Sequence, residues 1–466
     1  MGAASMEDRE RGNVPILVVI LLIFLIGSGL AYMKWAADEG AENRYEQAAV
    51  QAHYLAQTGI SERGFTFLRS RGPGTLPIGR VDLASGGIPG VGEYKDTYVT
   101  RNIEIGEYSV FRTERYYTIY STGVVSFENN KGEGMEVERT HSLLVRLRSF
   151  VNYMYLTDLE TTIFGERISF WGQDTLWGRV HSNDQFAMMG HPVFYGLVTT
   201  SQSSFYQGPG FNPNFVNYAP VFNVPPVEVP DEATVVRNCA GGCGFTFHGE
   251  GLYNHRLVFE EDGEYKIYRW EIGTPFDPSA IIQMGPTVGV DAMFFYGPLE
   301  LTGRLYGQMT VGASGDIRLI DDIIYVDSAP NGLVNPDSPH VLGIVSESNI
   351  VVGNTWENGR GNSAQGTDII INAAMLALGE SFTFEDQNDV WELYQGPTPD
   401  DRGAIRLWGS VVQKRRGYVH RSNHQSTGYG KDYHYDERFD VMPPPCYPDA
   451  TDQYGRSLFD LIAWGQ

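Results

Sequence analysis

The segment VPILVVILLIFLIGSGLAYM, Val14 to Met33, runs for twenty residues without a charged side chain. At 1.5 Å per residue such a helix is ~30 Å long, the thickness of a bilayer's hydrocarbon core. No polar face interrupts the run, so it does not read as a helix buried in a soluble core, and no small-x-small cleavage site follows it. Tyr32 and Trp35 stand where aromatic side chains meet lipid headgroups. The rest of the chain must therefore be arranged around one membrane-spanning helix, residues 14–33. Arg9 and Arg11 precede it and only Lys34 follows closely, which makes residues 1–13 a cytoplasmic leader and exports residues 34–466 to the periplasm or the cell surface.

The exported part is acidic. The chain carries 34 Lys+Arg against 57 Asp+Glu, a net charge of −23, and no basic cluster able to neutralise phosphates, so nucleic acid is not an expected partner. An apolar fraction of 42% supplies packed cores, while 54 Gly and 27 Tyr suit a β-rich chain with many turns.

Beyond the membrane the helical period continues through residues 34–70. Tyr45, Ala48, Ala49, Ala52, Leu55, Ala56, Gly59 and Ile60 recur at three- and four-residue intervals on one face. Most are small, so a second backbone can approach closely, either that of the protein's own globular part or that of another copy in a homo-oligomer. After the Gly/Pro stretch RSRGPGTLPIG the period becomes alternating. Ile103 to Thr113, Arg115 to Phe127 and Glu136 to Arg148 read as strands of an antiparallel sheet within residues 80–150, with ENNKGEG as a turn.

The basic lead ending RERG, the apolar span and QAAVQAHYLAQTGISE together resemble the N-terminus of PilX-type minor pilins of type IV pilus systems. The resemblance covers about residues 9–150. It implies prepilin-type cleavage between Gly12 and Asn13, a pilin-like sheet behind the helix, and pilus subunits as partners. Leu17 stands where major pilins carry glutamate, and Asn13 replaces the usual Phe or Met.

Residues 160–445 read as all-β. Pairs of aliphatic residues six apart recur around polar or small corners: Leu305 and Val311, Ile317 and Ile323, Ile344 and Ile350, Ile369 and Met375, Ile405 and Val411. The unequal steps between pairs suit coils of a right-handed parallel β-helix-like solenoid with variable loops. That reading predicts Leu305, Ile317, Ile344, Ile369 and Ile405 in an inward core stack; a β-sandwich would scatter them. GRVHSNDQF, GHPVFYGLVTT and the run from Gly409 to Phe439 resemble an uncharacterised family of bacterial envelope proteins, which implies a β-helix-like region behind a pilin-like anchor and no defined activity. Residues 446–466 read as a C-terminal tail with a possible short helix.

Chemistry-bearing motifs are sparse. Of three cysteines, Cys239 and Cys243 flank AGG and are spaced for a local disulfide; free thiols are the alternative, and a metal reading lacks further ligands. Tyr418, His420, His424, Tyr433, His434 and Tyr435 form the densest reactive cluster, read as a cap over a solenoid end or as a surface contact for a ligand such as sugar or metal. His181, Ser182 and Asp184 are triad residue types, but neighbours on a strand point to opposite sides and do not converge. Asp321 and Asp322 are an acidic pair at a turn. The sequence thus predicts a non-catalytic, cofactor-free envelope protein of structural or adhesive role, contacting pilus subunits or envelope polymers. A tethered polysaccharide lyase or hydrolase, or a static scaffold unrelated to pili, are the alternatives.

Overall fold

The computed structural model describes residues 14–101, 115–129, 131–172, 174–249, 251–360, 366–385, 400–421 and 427–465. Gly12, Asn13, His424 and the strand expected at 103–113 lie outside the described residues.

The chain opens with an α-helix, Val14–Gly59, continued by a π-helical turn, Ile60–Phe65, and a last α turn, Thr66–Arg69. Its first part is bare: Leu17 is 66% and Phe24 71% exposed. From Ala48 onward one face is covered by an antiparallel sheet. That sheet runs in the order Val81–Asp82, Gly92–Arg101, Tyr116–Glu128, Gly134–Leu147 and Phe459–Gly465, with Gly86–Ile88 also paired to Gly92–Arg101. The Tyr116–Glu128 and Gly134–Leu147 hairpin closes through Asn129, whose Oδ1 accepts from the Lys131 and Glu133 amides.

Small residues set the helix–sheet distance. A Cβ on Gly123 would collide with the Ala52 carbonyl oxygen and come within 2.7 Å of the Ala56 nitrogen. One on Gly64 would strike the Ile119 side chain, and that close approach falls within the π-helical turn. Ala48, Ala52, Leu55, Ala56 and Ile60 are buried in this seam.

The last strand is a correction to the sequence reading. Residues 446–466 are not a tail with a helix: Phe459–Gly465 adds to the edge of the first sheet beside Gly134–Leu147. Phe459 and Asp460 are buried, the register shifts between Leu461 and Ala463, and Leu461 to Trp464 lie exposed. The helix in the second half lies instead at Thr234–Cys243.

The remainder is a large mixed sheet, mostly parallel. One ladder joins Phe245–His248, Ala292–Tyr296, Gln308–Ala313, Val341–Ser346, Ile369–Ala377 and Asp400–Arg415. It then continues not forward in sequence but back to Tyr155–Leu159, Val180–Ser182 and Val198–Thr200. A second ladder stacks Tyr253–Phe259, Leu299–Leu305, Ile317–Tyr325, Ile350–Val352 and Phe382–Phe384. A third runs from Ile317–Tyr325 through Ile369–Ala377, Asp400–Arg415, Thr427–Tyr435, Thr175–Trp177 and Val193–Phe194 to Asn214–Phe215. Antiparallel members include Glu264–Glu271 and Ile281–Pro286.

Leu305, Ile317, Ile344, Ile369 and Ile405 are all fully buried, but they do not form one column. Ile369 pairs with Ile405; Ile317 pairs with Leu299 and Ile350; Ile344 pairs with Val311 and Met375; Leu305 pairs with Tyr325. The six-residue repeat is present but out of phase: Val311, Met375 and Val411, the second members of their pairs, share a ladder with Ile344, the first member of its own, and Ile317 pairs with Ile350. A continuous inward column is Ile323, Ile371, Leu407, Tyr433, Leu176 and Phe194.

Candidate functional site

The helix face singled out in sequence is occupied within the chain. Ala48, Ala52, Ala56 and Gly59 are buried against the antiparallel sheet and Ala49 is half-buried, while Tyr45 stays 46% exposed, its ring edge-on to Phe127. Cys239 is joined to Cys446, 207 residues away, and not to Cys243, because the segment carrying Cys446 crosses the helix Thr234–Cys243 beside Cys239. His181, Ser182 and Asp184 do not form a triad. His181 Nδ1 lies 2.8 Å from Thr199 Oγ1 and its Nε2 3.0 Å from Asn183 Oδ1, whereas Ser182 Oγ lies 3.0 Å from Thr157 Oγ1 and accepts from the Asp184 amide. Asp321 and Asp322 accept backbone amides, from Asp322 and Ile370 respectively.

The Tyr/His cluster divides by strand alternation. Tyr433 points inward and is buried; Tyr435 donates to Asp440 at 2.9 Å; Tyr418 donates to Glu166 at 3.3 Å. His420 lies parallel to Trp171, with ring centres 6.4 Å apart. His434 faces outward between Trp408 and Trp177, and Trp177 stacks in turn on Tyr195, with centroid separations of 5.1, 5.8 and 3.5 Å. These four rings occupy successive rungs of the third ladder and line an open groove of ≈ 520 Å³ with Tyr218, Pro336 and Glu437. Beside the rings runs a charged chain. Arg406 contacts Asp368 at 2.6 Å and Asp432 at 3.4 Å, and Asp432 lies 2.8 Å from His434 Nε2. Together they form a polar, aromatic-edged face of partly exposed side chains on adjacent strands.

Trp177, Tyr195 and Trp408 were not picked out from sequence, yet a signal exists. Each is followed by glycine, in LWGRV, FYGLV and LWGSV. A Cβ on Gly196 would collide with the Gly178 carbonyl and one on Gly409 with the Ala373 carbonyl, so the strand after each ring passes too close for a side chain. His248–Gly249 and Tyr296–Gly297 repeat the dipeptide, and those rings stack at 4.4 Å.

A second cavity, ≈ 460 Å³, lies where the antiparallel sheet meets the parallel one, between Phe65, Arg148, Tyr153, Arg179, His181 and Phe459. Asp460, on the last strand, holds this joint: Arg148 contacts it at 2.6 Å, Arg146 at 3.2 Å and Arg179 at 3.3 Å. Burial alone would push its carboxyl up, but the three guanidiniums bring it down to about 2. Burial pushes His181 down to about 4, with Arg148 and Arg179 adding to the effect against its bond to Asn183.

The signs follow. An unfolded histidine titrates near ~6.5 and takes a proton that folded His181 refuses, so stability falls as pH drops from about 6.5 to about 4. Asp460 stabilises above the unfolded carboxylate value of ~3.9, and that contribution is lost as pH falls towards 2. We expect two acid steps at the joint, of order 2 kcal/mol each. Acid titration followed by near-ultraviolet circular dichroism checks this: His181→Gln should flatten the upper step and Asp460→Asn the lower.

Residues 113–203 match a family described as a domain of unknown function, DUF4900. The matched stretch spans the joint, from the strand Tyr116–Glu128 to the strand Val198–Thr200. No curated protein matches the chain. Among solved structures, the competence-associated pilin ComZ from Thermus thermophilus aligns with 90% of this chain and 97% of its own, at 9% identity and a TM-score of 0.30.

Proposed function

We propose that the chain is a single-pass, membrane-anchored structural or interaction subunit of the pilin-like type, its C-terminal part outside the cytoplasm. The carrying observation is one continuous helix with two different surfaces. Its first turns are apolar and exposed on every described side, and its later turns are clamped by a sheet of the same chain. A helix so built suits a bilayer, or the core of a helical assembly, at one end and a rigid head at the other. In this reading the parallel ladders are coils of a β-helix, whose outward side chains meet a surface or polymer. Leu461, Ile462 and Trp464 are exposed along the last strand and offer an apolar edge to a neighbouring subunit.

Mass spectrometry of the mature N-terminus, in membranes and in sheared surface material, tests the reading. We expect Asn13 as the first residue and the protein in both fractions. Intact Met1, with the protein confined to the membrane, would leave a tethered scaffold.

One observation favours a second reading, glycan cleavage. Asp368, Arg406, Asp432 and His434 bring carboxylates, a base and an imidazole onto adjacent strands of one face. It requires saccharide-cleaving activity in the intact chain that Asp432→Asn abolishes. With Arg406 held between two carboxylates, we expect glycan contact at most and no turnover.

A further inference from the structure

The chain has only three cysteines, and all three meet at one place. Cys239 and Cys243 lie one turn apart at the end of the helix Thr234–Cys243. Cys446 follows the run Pro443, Pro444, Pro445 and adopts a left-handed backbone, φ 58°, rare for a residue with a Cβ. The Cys239–Cys446 disulfide spans a Cα distance of 6.1 Å. Cys243 is free and exposed. Its Sγ lies 3.1 Å from the Cys239 sulfur and 3.2 Å from the Cys239 carbonyl oxygen, and the three sulfurs lie within 4.8 Å of one another.

A thiol resting on one sulfur of a disulfide is placed for exchange. Two cysteines one helical turn apart have Cβ atoms roughly 5–6 Å apart against the ~3.5–4.5 Å of a disulfide, so the second pairing needs an adjustment of the helix's last turn, where Gly241, Gly242 and Gly244 lie around Cys243.

We propose that the three cysteines form a thiol–disulfide exchange site in which Cys243 displaces Cys446 from Cys239. The Cys243 thiol loses its proton to solvent, and the thiolate attacks Cys239 Sγ. The Cys239–Cys243 bond forms as the Cys239–Cys446 bond breaks, and Cys446 leaves as a thiolate that takes up a proton. No oxidant or reductant is consumed. The exchange replaces a clasp across 207 residues by one within a helix turn. It frees the segment that runs from Cys446 to the last strand of the first sheet, and it moves the reactive thiol from Cys243 to Cys446. An exported chain keeps such bonds, because its surroundings do not reduce them.

The test uses the full chain in detergent, incubated at mildly alkaline pH without added thiol. It is then acid-quenched, alkylated, digested without reduction and mapped by mass spectrometry. We expect wild type to contain both linkages in a ratio that no longer changes with time. Cys446→Ser should contain only Cys239–Cys243, and Cys243→Ser only Cys239–Cys446. Cys243→Ser should lose its linkage only when external thiol reaches the ~mM range that an adjacent group supplies internally. Far-ultraviolet circular dichroism on each variant separates lost exchange from lost fold. A wild type holding Cys239–Cys446 alone, together with a folded Cys446→Ser whose two thiols both stay alkylatable, would overturn the proposal. So would three reduced cysteines with a stoichiometric metal ion bound.

Discussion

Replacing Glu160 by Gln should cost the parallel-sheet region about 3–5 kcal/mol, the range for removing one partner of a buried ion pair. Glu160 is fully buried and Arg416 is 1% exposed. Arg416 Nη1 donates to Glu160 Oε2 at 2.8 Å, Thr157 donates to the other carboxylate oxygen, and the guanidinium lies 3.6 Å over the Phe170 ring. Lys431 and Asp174, 2.9 Å apart, form a second pair against the same ring. The carboxylate comes from the residue after Tyr155–Leu159, and the arginine from the residue after Asp400–Arg415, strands paired across about 250 residues of sequence. Uncompensated, the Arg416 charge would sit among Phe170, Tyr155 and Tyr433. Removing both partners should be much milder, since a buried pair and a well-packed apolar substitute are often near equal in free energy. The check is a double-mutant cycle with Glu160→Gln, Arg416→Met and the combination, followed by urea unfolding of the full chain in detergent. A combined effect equal to the sum of the two single effects would show that the ions do not depend on each other.

This pair also shows where sequence reading stops. The long apolar helix, the small-residue face and two strands of the antiparallel sheet are legible because each is encoded locally: a charge-free run, a three- and four-residue period, an alternation. The aliphatic pairs six apart are local in the same way, and their residues are buried as read. Their alignment into columns is not local. Ile344 matches Val311 and Met375 only once the insertion from Val326 to His340 is assigned to a loop; Asn331–Gly332 and Asn335–Pro336 mark that loop, but not which strands stack across it. The larger omission is topological. The strands that come early in the sequence stack at the far end of the ladders: Tyr155–Leu159 pairs with Asp400–Arg415, and Thr175–Trp177 with Thr427–Tyr435. Contacts such as Arg416–Glu160 and Cys239–Cys446 follow from that return of the chain. So does the outward alignment of Trp408, His434 and Trp177, whose side chains come from three separated segments. The aromatic–glycine dipeptides were the one local trace of it.

Gly123→Val should be the most damaging single change in the first sheet, although strand propensity alone predicts a gain. Valine suits a strand better than glycine by up to ~1 kcal/mol. Against that, the new Cβ would meet main-chain atoms, the Ala52 carbonyl and the Ala56 nitrogen, which cannot rotate aside as a side chain could. The helix would have to lift from the strand Tyr116–Glu128. Lifting would also open the contacts that bury Ala48, Ala52 and Leu55 against Val125 and Val137. Overpacking of this kind typically costs about 1–3 kcal/mol, and the rigid partners here place it at the upper end. Gly134→Val provides the comparison. Gly134 begins the next strand, and a Cβ there meets nothing within 4 Å, so the change should stay within about 0.5 kcal/mol. Thermal unfolding of both variants decides between propensity and packing. A Gly123→Val protein as stable as wild type would mean that the helix does not ride on this strand. The apolar helix and the β-rich remainder would then be joined only through the chain after Gly59, and the rigid neck on which the proposed pilin-like reading depends would be gone.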